Sequence, residues 1–418
     1  MRIEPFSLPL STPLETAAGT IQERKGFLIR LAPEDTEYGE PGVGEATPLP
    51  GWTESLEACR DALERSLDVL AQDGAREALA KADGTPAARH GISLALADAR
   101  ARSQEGRTSP RRKRSGRLYS MLNDDRRIER IRDPEIQRVR SLSVESVPVY
   151  ATLGDCPTEE ASRRASEAVE AGFDTLKLKV GARSVEEDLE RVRAVRDAVG
   201  KQVELRGDAN GAWSREEAKR ALEGLSRCRV AILEQPLPAE DLAGHAELQD
   251  WMREYAIEKL ASDATDYEPQ FDSGGPAYRV AIGVDESVIE AGIDEVLRRD
   301  CAQVVILKPM ALGGIDRAVA AARRALDAGV TPVVTTTIDA VYARTAAVHV
   351  AASLDDEFAA CSRDVPPFGL ATADWLAEDL AEDPAPVEDG EIRVPQKPGL
   401  GVDPDREADP GREADPDA

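Results

Sequence analysis

Two lysines stand two positions apart in a short apolar segment of this chain. Lys177 and Lys179 lie within Thr175–Val180, and the whole chain has only ten lysines. In a β-strand both ammonium groups would point to the same side, because side chains alternate along a strand. Two lysines buried side by side lower each other's pKa, and a lysine that is neutral near pH 7 can act as a general base. The alternative interpretation is an edge strand with solvated lysines.

Three carboxylates each follow an apolar run further along the chain. Asp208, Glu234 and Asp285 each precede a turn-forming segment. Acids in such positions often only cap a helix or a turn. In a barrel, however, consecutive parallel strands end side by side on one rim, so these carboxylates would converge there. Their mutual repulsion favours a bound divalent cation, all-oxygen ligation suits Mg²⁺, and Asn210 is near enough in sequence to support the site.

A third lysine, Lys308, ends the next apolar run. In a barrel it would lie across the mouth from Lys177 and Lys179. Lysines on both sides of a metal ion suit proton abstraction next to a substrate carboxylate: the metal stabilises the enediolate and a lysine takes the proton. Two alternatives stay open for Lys308. It could be a solvated strand-end lysine, or the Schiff-base nucleophile of a metal-free aldolase, against which the three carboxylates argue.

The elements that must position these residues alternate regularly from residue 146 onward. Short β-rich runs alternate with charged helical stretches, which predicts a parallel sheet, and eight strands over about 220 residues indicate an α/β barrel. The predicted strands are Val147–Leu153, Thr175–Val180, Val203–Asp208, Val230–Glu234, Val280–Asp285, Gln303–Lys308, Thr331–Thr337 and a weaker one near Phe358–Cys361. The predicted helices include Thr158–Ala171, Val185–Val199, Ser214–Leu225 and Ile315–Ala328.

Composition excludes several classes of function. The formal net charge of −26 disfavours nucleic-acid binding, because a phosphate backbone would be repelled. No run of about 18 apolar residues predicts a membrane span, and no basic, apolar leader predicts secretion. Five scattered cysteines and three unpaired histidines argue against a disulfide framework or a histidine metal site and fit a reducing cytoplasm. An acid-rich, lysine-poor surface suggests a halophilic source, because a salt-rich cytoplasm screens self-repulsion.

Three segments differ from this pattern. A basic insertion at about 103–142 is interpreted as a solvated surface segment, with a nucleic-acid or partner site as the lesser alternative. A second insertion is expected near 252–278, because Asp285 follows Glu234 after an unusually long interval. Residues 403–418 are polar and rich in proline, which predicts a disordered acidic tail.

The sequence resembles the enolase superfamily, and within it the muconate-lactonizing subgroup. The segments that carry the resemblance are Gly44–Gly51, Lys177–Lys179, Asp208–Asn210, Leu233–Pro236, Val284–Ser287, Ile306–Pro309 and Gly313–Ile315. The resemblance implies a (β/α)₇β TIM-like barrel over 146–370. It also implies an α+β capping domain, formed by 1–145 and by the returning segment 371–402. Cap loops around Gly19–Ile21 and Glu45–Trp52 would then shape substrate specificity.

The same resemblance implies a ligand set. Asp208, Glu234 and Asp285 would bind Mg²⁺, with Mn²⁺ as the alternative ion. Asn210 and Glu286 would support the metal or contact the substrate. No other cofactor is implied.

The resemblance also implies separate roles for the lysines. Lys179 would remove the proton α to the substrate carboxylate and then assist departure of hydroxide. Lys177 would tune Lys179 and contact the carboxylate. Lys308, on the opposite side, would stabilise the enediolate or lie against the ring as a cation.

Within the subgroup the sequence is most similar to the o-succinylbenzoate synthase family, which implies a dehydratase of a small carboxylate substrate. The Gly44–Gly51 loop and the Thr335–Asp339 segment followed by Ala343–Ala352 carry this finer resemblance. Racemisation of N-acylamino acids, epimerisation of dipeptides and cycloisomerisation remain the alternatives, because these enzymes share the lysines and the ligands. No clear Asp-x-Asp, the motif by which dipeptide epimerases bind the substrate amino group, stands at the end of the last predicted strands, where Asp364 stands alone. A non-catalytic binding protein and a homo-oligomer are also left open.

Overall fold

The computed structural model of this 418-residue chain describes residues 1–16, 19–103, 108–109, 112–113, 118, 144–262 and 279–402. The basic insertion at 103–142 and the tail at 403–418 therefore lie almost wholly outside the described residues. So does the second part of the insertion expected near 252–278. The first part of that insertion, up to Ser262, belongs to the long helix Leu242–Ser262.

The N-terminal part is a three-stranded antiparallel sheet covered by helices. The strands, in sheet order, are β1 (Arg2–Thr16), β2 (Gly19–Leu31) and β3 (Gly42–Ala46), and the helices are α1 (Leu56–Asp73), α2 (Ala75–Lys81) and α3 (Pro86–Ser103). Phe27 and Ile29 of β2 pack into a core with helix residues such as Leu63. Helix α3 crosses β3 so closely that a Cβ on Gly44 would lie 1.9 Å from the carbonyl oxygen of Gly91, so this packing requires glycine. A short hairpin, β4 (Thr108–Ser109) with β5 (Arg112–Lys113), follows α3.

Seven parallel strands form the central sheet. In sheet order they are β7 (Ala151–Leu153), β8 (Thr175–Lys179), β9 (Glu204–Asp208), β10 (Val230–Glu234), β11 (Ala281–Val284), β12 (Val304–Leu307) and β13 (Thr331–Val334). The residues of these strands are predominantly buried, and those of β12 are buried at every position. Apolar runs of this kind are typical of a parallel sheet with both faces covered.

A two-residue eighth strand closes this sheet into a barrel. Gly369 bridges Thr335 at the end of β13, and Phe368 bridges Val149 just before β7, both in parallel. The weaker strand predicted near Phe358–Cys361 is therefore wrong, because that segment forms the end of a short helix. The predicted (β/α)₇β barrel is confirmed, with its last strand some ten positions later than expected.

Helices connect the barrel strands on the outside. They are α4 (Thr158–Glu170), α5 (Val185–Val199), α6 (Arg215–Arg227), α7 (Leu242–Ser262), α8 (Glu286–Ala291), α9 (Ile293–Arg298), α10 (Pro309–Leu312), α11 (Ile315–Asp327), α12 (Val341–Ser353) and α13 (Asp355–Ala360). Two of them begin with a reciprocal capping box, Ser184 with Glu187 and Ser214 with Glu217. The four helices predicted from the sequence agree with these to within two residues at each end.

The C-terminal segment returns to the N-terminal part, where Leu376 forms an antiparallel bridge with Leu10 of β1. Strands β14 (Val387–Glu388) and β15 (Glu391–Arg393) form a small antiparallel sheet with β6 (Ser146–Pro148). The predicted strand Val147–Leu153 is therefore two strands, of which only β7 belongs to the barrel.

Among the described residues, no helix is long and apolar enough to cross a membrane.

Candidate active site

Five consecutive barrel strands, β8 to β12, carry the charged residues singled out by the sequence at their carboxyl-terminal ends. These residues are Lys177, Lys179, Asp208, Glu234, Asp285 and Lys308. The register places Lys179 beside Asp208, and Asp208 beside Glu234. The predicted convergence at the barrel mouth is thus present in the structure.

Lys177 lies deepest in the mouth. Its Nζ donates to Glu234 Oε1 at 2.7 Å and is 2.8 Å from Asp208 Oδ2, and its side chain is only 9% exposed. Burial by itself lowers the pKa of Lys177, but Asp208 and Glu234 outweigh it and hold the pKa well above its ordinary value. The predicted lowering of pKa by a neighbouring lysine is wrong for Lys177, because its nearest charges are carboxylates and not Lys179.

Lys179 is the more accessible of the two. Its Nζ donates to Asp208 Oδ2 at 2.7 Å and to Asn210 Oδ1 at 2.8 Å, and its side chain is 33% exposed. Asn210 has a φ of 44°, in the left-handed region that asparagine tolerates, and its Nδ2 donates to Glu286 Oε1 at 2.9 Å. The two predicted supporting residues therefore form one chain of hydrogen bonds with Lys179.

Lys308 occupies the opposite side of the mouth. Its Nζ forms an ion pair with Asp285 and lies 3.3 Å from the centre of the Trp52 ring, a cation–π contact. Trp52 belongs to the cap loop that follows β3, so this contact joins the cap to the barrel. The Lys308 side chain is 12% exposed.

The three carboxylates are buried and differ in charge environment. Burial raises the pKa of Asp208, but Lys177 and Lys179 outweigh it and hold that pKa below its usual range. Burial raises the pKa of Glu234, and Asp208 adds to the rise. Burial also raises the pKa of Asp285, against the opposing effect of Lys308. Negative charge is therefore costly at Glu234 and Asp285.

This donor set fits a hard cation. Within the described ranges, no three carboxylate, histidine or cysteine side chains stand close enough together to hold a metal ion, and the Lys177 ammonium lies between Asp208 and Glu234. Even so, three buried carboxylates end consecutive strands, and the buried Asp285 Oδ1 has no hydrogen-bond partner among the described residues. Carboxylate oxygens are ligands that Mg²⁺ and Mn²⁺ prefer, and a bound cation would offset the repulsion among them.

Gln235 supports the third carboxylate, a role that the sequence analysis missed. Its Oε1 accepts from the backbone N–H groups of Asp285 at 2.9 Å and Ser287 at 3.2 Å, and its Nε2 donates to Ser287 Oγ at 2.8 Å. Gln235 itself has a φ of 41° and is fully buried. A polar residue immediately after a strand-ending carboxylate was the available signal.

Arg191 of α5 supports the Lys179 strand in a similar way and was also missed. Its guanidinium donates to the carbonyl oxygen of Lys179 and to Asp188, while Asp188 accepts from the backbone N–H of Gly181 at 2.6 Å. The helix behind the strand thus fixes the turn that carries Lys179. A buried arginine inside an amphipathic helix has no local sequence signature.

The sequence matches the family described as "Enolase C-terminal domain-like" over residues 160–408, more than half of the chain. The chain belongs to the enolase superfamily. Residues 2–99 also match the family described as "MenC, N-terminal domain". The resemblance noted from the sequence is confirmed, and the chain is an enolase-superfamily enzyme.

Curated relatives in this superfamily have several activities. The chain is 27% identical to the L-Ala-D/L-Glu epimerase of Bacillus subtilis over 409 residues, covering 95% of this chain and 94% of that protein. It is 33% identical to the o-succinylbenzoate synthase of Thermobifida fusca over 244 residues, covering 57% of this chain and 64% of that protein. It is 25% identical to chloromuconate cycloisomerase CbnB of Cupriavidus necator, covering 97% of this chain and 98% of that protein.

Solved structures confirm the fold. A substrate-liganded complex of the Bacillus subtilis L-Ala-D/L-Glu epimerase superposes with a TM-score of 0.74 at 25% identity, covering 98% of this enzyme and 99% of that chain. The muconate lactonizing enzyme of Pseudomonas fluorescens, complexed with muconolactone, superposes with a TM-score of 0.73 at 24% identity, covering 96% of this enzyme and 95% of that chain. The α/β barrel with a capping domain is therefore the architecture of this enzyme.

Proposed function

We propose that this enzyme is a Mg²⁺-dependent o-succinylbenzoate synthase of menaquinone biosynthesis. It would dehydrate 2-succinyl-6-hydroxy-2,4-cyclohexadiene-1-carboxylate to o-succinylbenzoate. The observation that carries the proposal is the pair of lysines, Lys179 and Lys308, on opposite sides of a barrel mouth that carries three buried carboxylates. The match of residues 2–99 to the MenC N-terminal domain and the 33% identity to the Thermobifida fusca enzyme favour this reaction among those known in the superfamily.

Lys179 is the proposed base. Its one-third exposure leaves the ammonium within reach of a substrate in the mouth, while Asp208 and Asn210 fix its position. In the neutral form Lys179 removes the proton from the ring carbon that bears the carboxylate. It then returns that proton to the hydroxyl group on the neighbouring carbon, so that the C–O bond breaks, water leaves and the ring becomes aromatic.

Asp208, Glu234 and Asp285 are the proposed ligands of Mg²⁺, or of Mn²⁺ as the alternative. When bound, the ion supplies positive charge for the substrate carboxylate and for the charge that develops on it. Lys177, between Asp208 and Glu234 at the bottom of the mouth, contributes a further positive charge. Asn210 and Glu286 hold the Lys179 side of the site through hydrogen bonds.

Lys308 has the electrostatic role in this proposal. It is largely shielded from water by its surroundings, including the Trp52 ring, and a positive charge in such a site stabilises an anion more strongly than in water. As a cation it can also lie against the face of a substrate ring.

Epimerisation of dipeptides is the second candidate, because the match to the Bacillus subtilis epimerase spans nearly the whole of both chains. One feature of the barrel speaks against it. The residues that follow the eighth strand are Leu370, Ala371 and Thr372, so no carboxylate stands there to bind an amino group. Asp364 precedes that strand and therefore lies toward the other end of the barrel.

Direct turnover tests the proposal. The full-length protein, in concentrated KCl with Mg²⁺, is mixed with the cyclohexadiene carboxylate, and loss of the diene absorbance is followed with and without EDTA. We expect rapid conversion that EDTA abolishes. A folded, Mg²⁺-loaded protein that converts none of this substrate, but exchanges the α-proton of dipeptides in D₂O, would replace the proposal by the second candidate. Exchange with N-acylamino acids alone would replace it by racemisation.

Three further assignments are also proposals. The domain boundaries are 1–145 for the cap with its basic insertion, 146–370 for the barrel, 371–402 for the returning segment and 403–418 for the tail. The net charge of −26 supports a salt-rich cytoplasm as the place of action. The third proposal is that the protein forms a homo-oligomer, and light scattering at high salt measures its oligomeric state.

A further inference from the structure

A buried carboxylate of the capping domain accepts hydrogen bonds at the N-terminal end of a barrel helix. Glu45, at the end of β3, is fully buried. Its Oε1 and Oε2 accept from the backbone N–H groups of Ala340 and Ala343, each at 2.9 Å, at the start of α12. Ala340 precedes α12 and has no side-chain cap of its own, so Glu45 supplies the cap from another part of the chain. Thr47 Oγ1 donates to the same carboxylate at 2.5 Å.

A buried arginine joins the same two parts of the molecule through carbonyl oxygens. Arg24 of β2 donates to Thr47 at 2.9 Å and Pro48 at 3.0 Å in the cap, and to Ile338 at 3.1 Å in the loop between β13 and α12. Three carbonyl contacts from one guanidinium fix two loops relative to each other. We call Arg24, Glu45 and Thr47 the seam clamp.

The barrel loop held by the seam clamp has an unusual backbone. Ile338 has a φ of 60°, a conformation that a β-branched residue rarely adopts. Asp339 is buried next to it and accepts from Thr337 Oγ1 at 2.5 Å. Such backbone strain persists only where the surroundings impose it, and here the seam clamp holds the strained residue by its carbonyl oxygen.

The seam clamp is costly to bury. Burial, together with repulsion from Asp339, raises the pKa of Glu45 to about 8, and burial lowers the pKa of Arg24. Replacing buried polar or ionic groups by apolar residues of the same shape is often neutral or stabilising, so the presence of Glu45 and Arg24 in this buried contact favours a role in fixing one geometry.

The geometry that the seam clamp fixes continues into the active site. Pro48, whose carbonyl oxygen Arg24 binds, begins the short turn in which the Trp52 N–H donates to the Leu49 carbonyl oxygen at 3.0 Å. That turn places the Trp52 ring against Lys308. We propose that Arg24, Glu45 and Thr47 are positioning residues that hold the Pro48–Trp52 loop over Lys308 and thereby set the affinity for substrate without taking part in the chemistry.

Kinetics test the proposal with a matched control, and this arm rests on the proposed function. In Glu45→Gln the amide nitrogen faces one of the two backbone N–H groups, so one contact is lost. We expect KM to rise about tenfold with kcat changed less than about threefold. Asp98→Asn is the control, because Asp98 is also buried and also accepts two backbone N–H groups, from Val43 and Leu400, but away from this loop. An unchanged KM in Glu45→Gln, or an equal rise in Asp98→Asn, would overturn the proposal.

Fluorescence tests the same proposal without any substrate. Acrylamide quenching is measured for each variant and for its Trp52→Phe counterpart, and the difference reports the exposure of Trp52 alone. Thr47→Val, which keeps the side-chain shape, should increase Trp52 quenching, and Thr47→Ser should restore it. If quenching changes while turnover is absent in the parent protein, the proposed function fails and the positioning role stands. If Trp52 quenching is the same in Thr47→Val, Glu45→Gln and the parent, the positioning role fails.

Discussion

The two sides of the barrel mouth use the same kind of ion pair in different surroundings. On one side Lys179 contacts Asp208 and Asn210 and is 33% exposed. On the other side Lys308 contacts Asp285, lies against Trp52 and is 12% exposed. A group that moves protons must reach the reacting atoms, whereas a group that only stabilises charge gains from the exclusion of water. This difference is the physical reason for proposing Lys179 as the base and Lys308 as the electrostatic partner.

Removing the proposed base should have the largest effect. We expect Lys179→Ala to lower kcat by about 10³-fold, because no other described lysine at the mouth has both its exposure and its position on β8. Stopped-flow turnover measures the loss, and circular dichroism with Mg²⁺ titration checks that the fold and metal binding remain. Lys219→Ala, which removes a lysine on α6 paired with Glu247, is the control. If Lys179→Ala keeps its activity, the two sides have been assigned the wrong way round.

Removing the proposed electrostatic partner should have a smaller effect. Lys308→Met keeps an apolar stem of similar length but loses the charge, and we expect kcat to fall by about 10²-fold. Lys308→Arg keeps the charge and can still stack on Trp52, so it should recover part of that loss. If arginine and methionine reduce kcat equally, the role of Lys308 is proton transfer rather than electrostatic stabilisation.

Much of this architecture could be predicted because its signals are local. The helix Val185–Val199 was predicted with its observed bounds, and in the structure a capping box of Ser184 and Glu187 marks its start. The strand-ending carboxylates were identifiable because an acid after a buried run stands out. The eighth strand was missed because it has only two residues, Phe368 and Gly369, and follows two prolines that obscure any alternation.

What the sequence could not provide is contact across long intervals. The pKa of Lys177 was predicted with the wrong sign, because Asp208 and Glu234 come beside it only when β8, β9 and β10 pair. The capping of α12 by Glu45 joins residues 295 positions apart, and no local pattern links the two. Supporting residues such as Gln235 also have hydrogen-bond partners that are distant in sequence, and only the tertiary structure identifies those partners.

The hydrogen-bonded chain behind Lys179 gives a third, smaller effect on the same side of the mouth. Asn210→Ala removes the acceptor at 2.8 Å from Lys179 Nζ and the donor to Glu286, and we expect kcat to fall about tenfold. Glu286→Gln keeps an oxygen for the Asn210 amide and should cost less than about threefold. Steady-state kinetics at saturating Mg²⁺ separate the two. A loss in Glu286→Gln as large as that in Asn210→Ala would mean that the Glu286 charge, and not the position of Asn210, matters to Lys179.

Salt should separate the buried ion pairs of the mouth from the charge of the rest of the molecule. With a net charge of −26, the folded chain repels itself, and the Debye length shortens from about 10 Å at 0.1 M to about 3 Å at 1 M salt. We therefore expect the melting temperature to rise by about 2 °C or more from 0.1 M to 1 M KCl. The buried Lys177 and Lys308 pairs are screened much less, so kcat at saturating substrate and Mg²⁺ should change less than about twofold over the same range. Scanning calorimetry and turnover at matched KCl concentrations measure both. A protein that is equally stable at both concentrations would rule out the salt-adapted surface, whereas a kcat that falls steeply with salt would show that the ion pairs at the mouth are open to solvent.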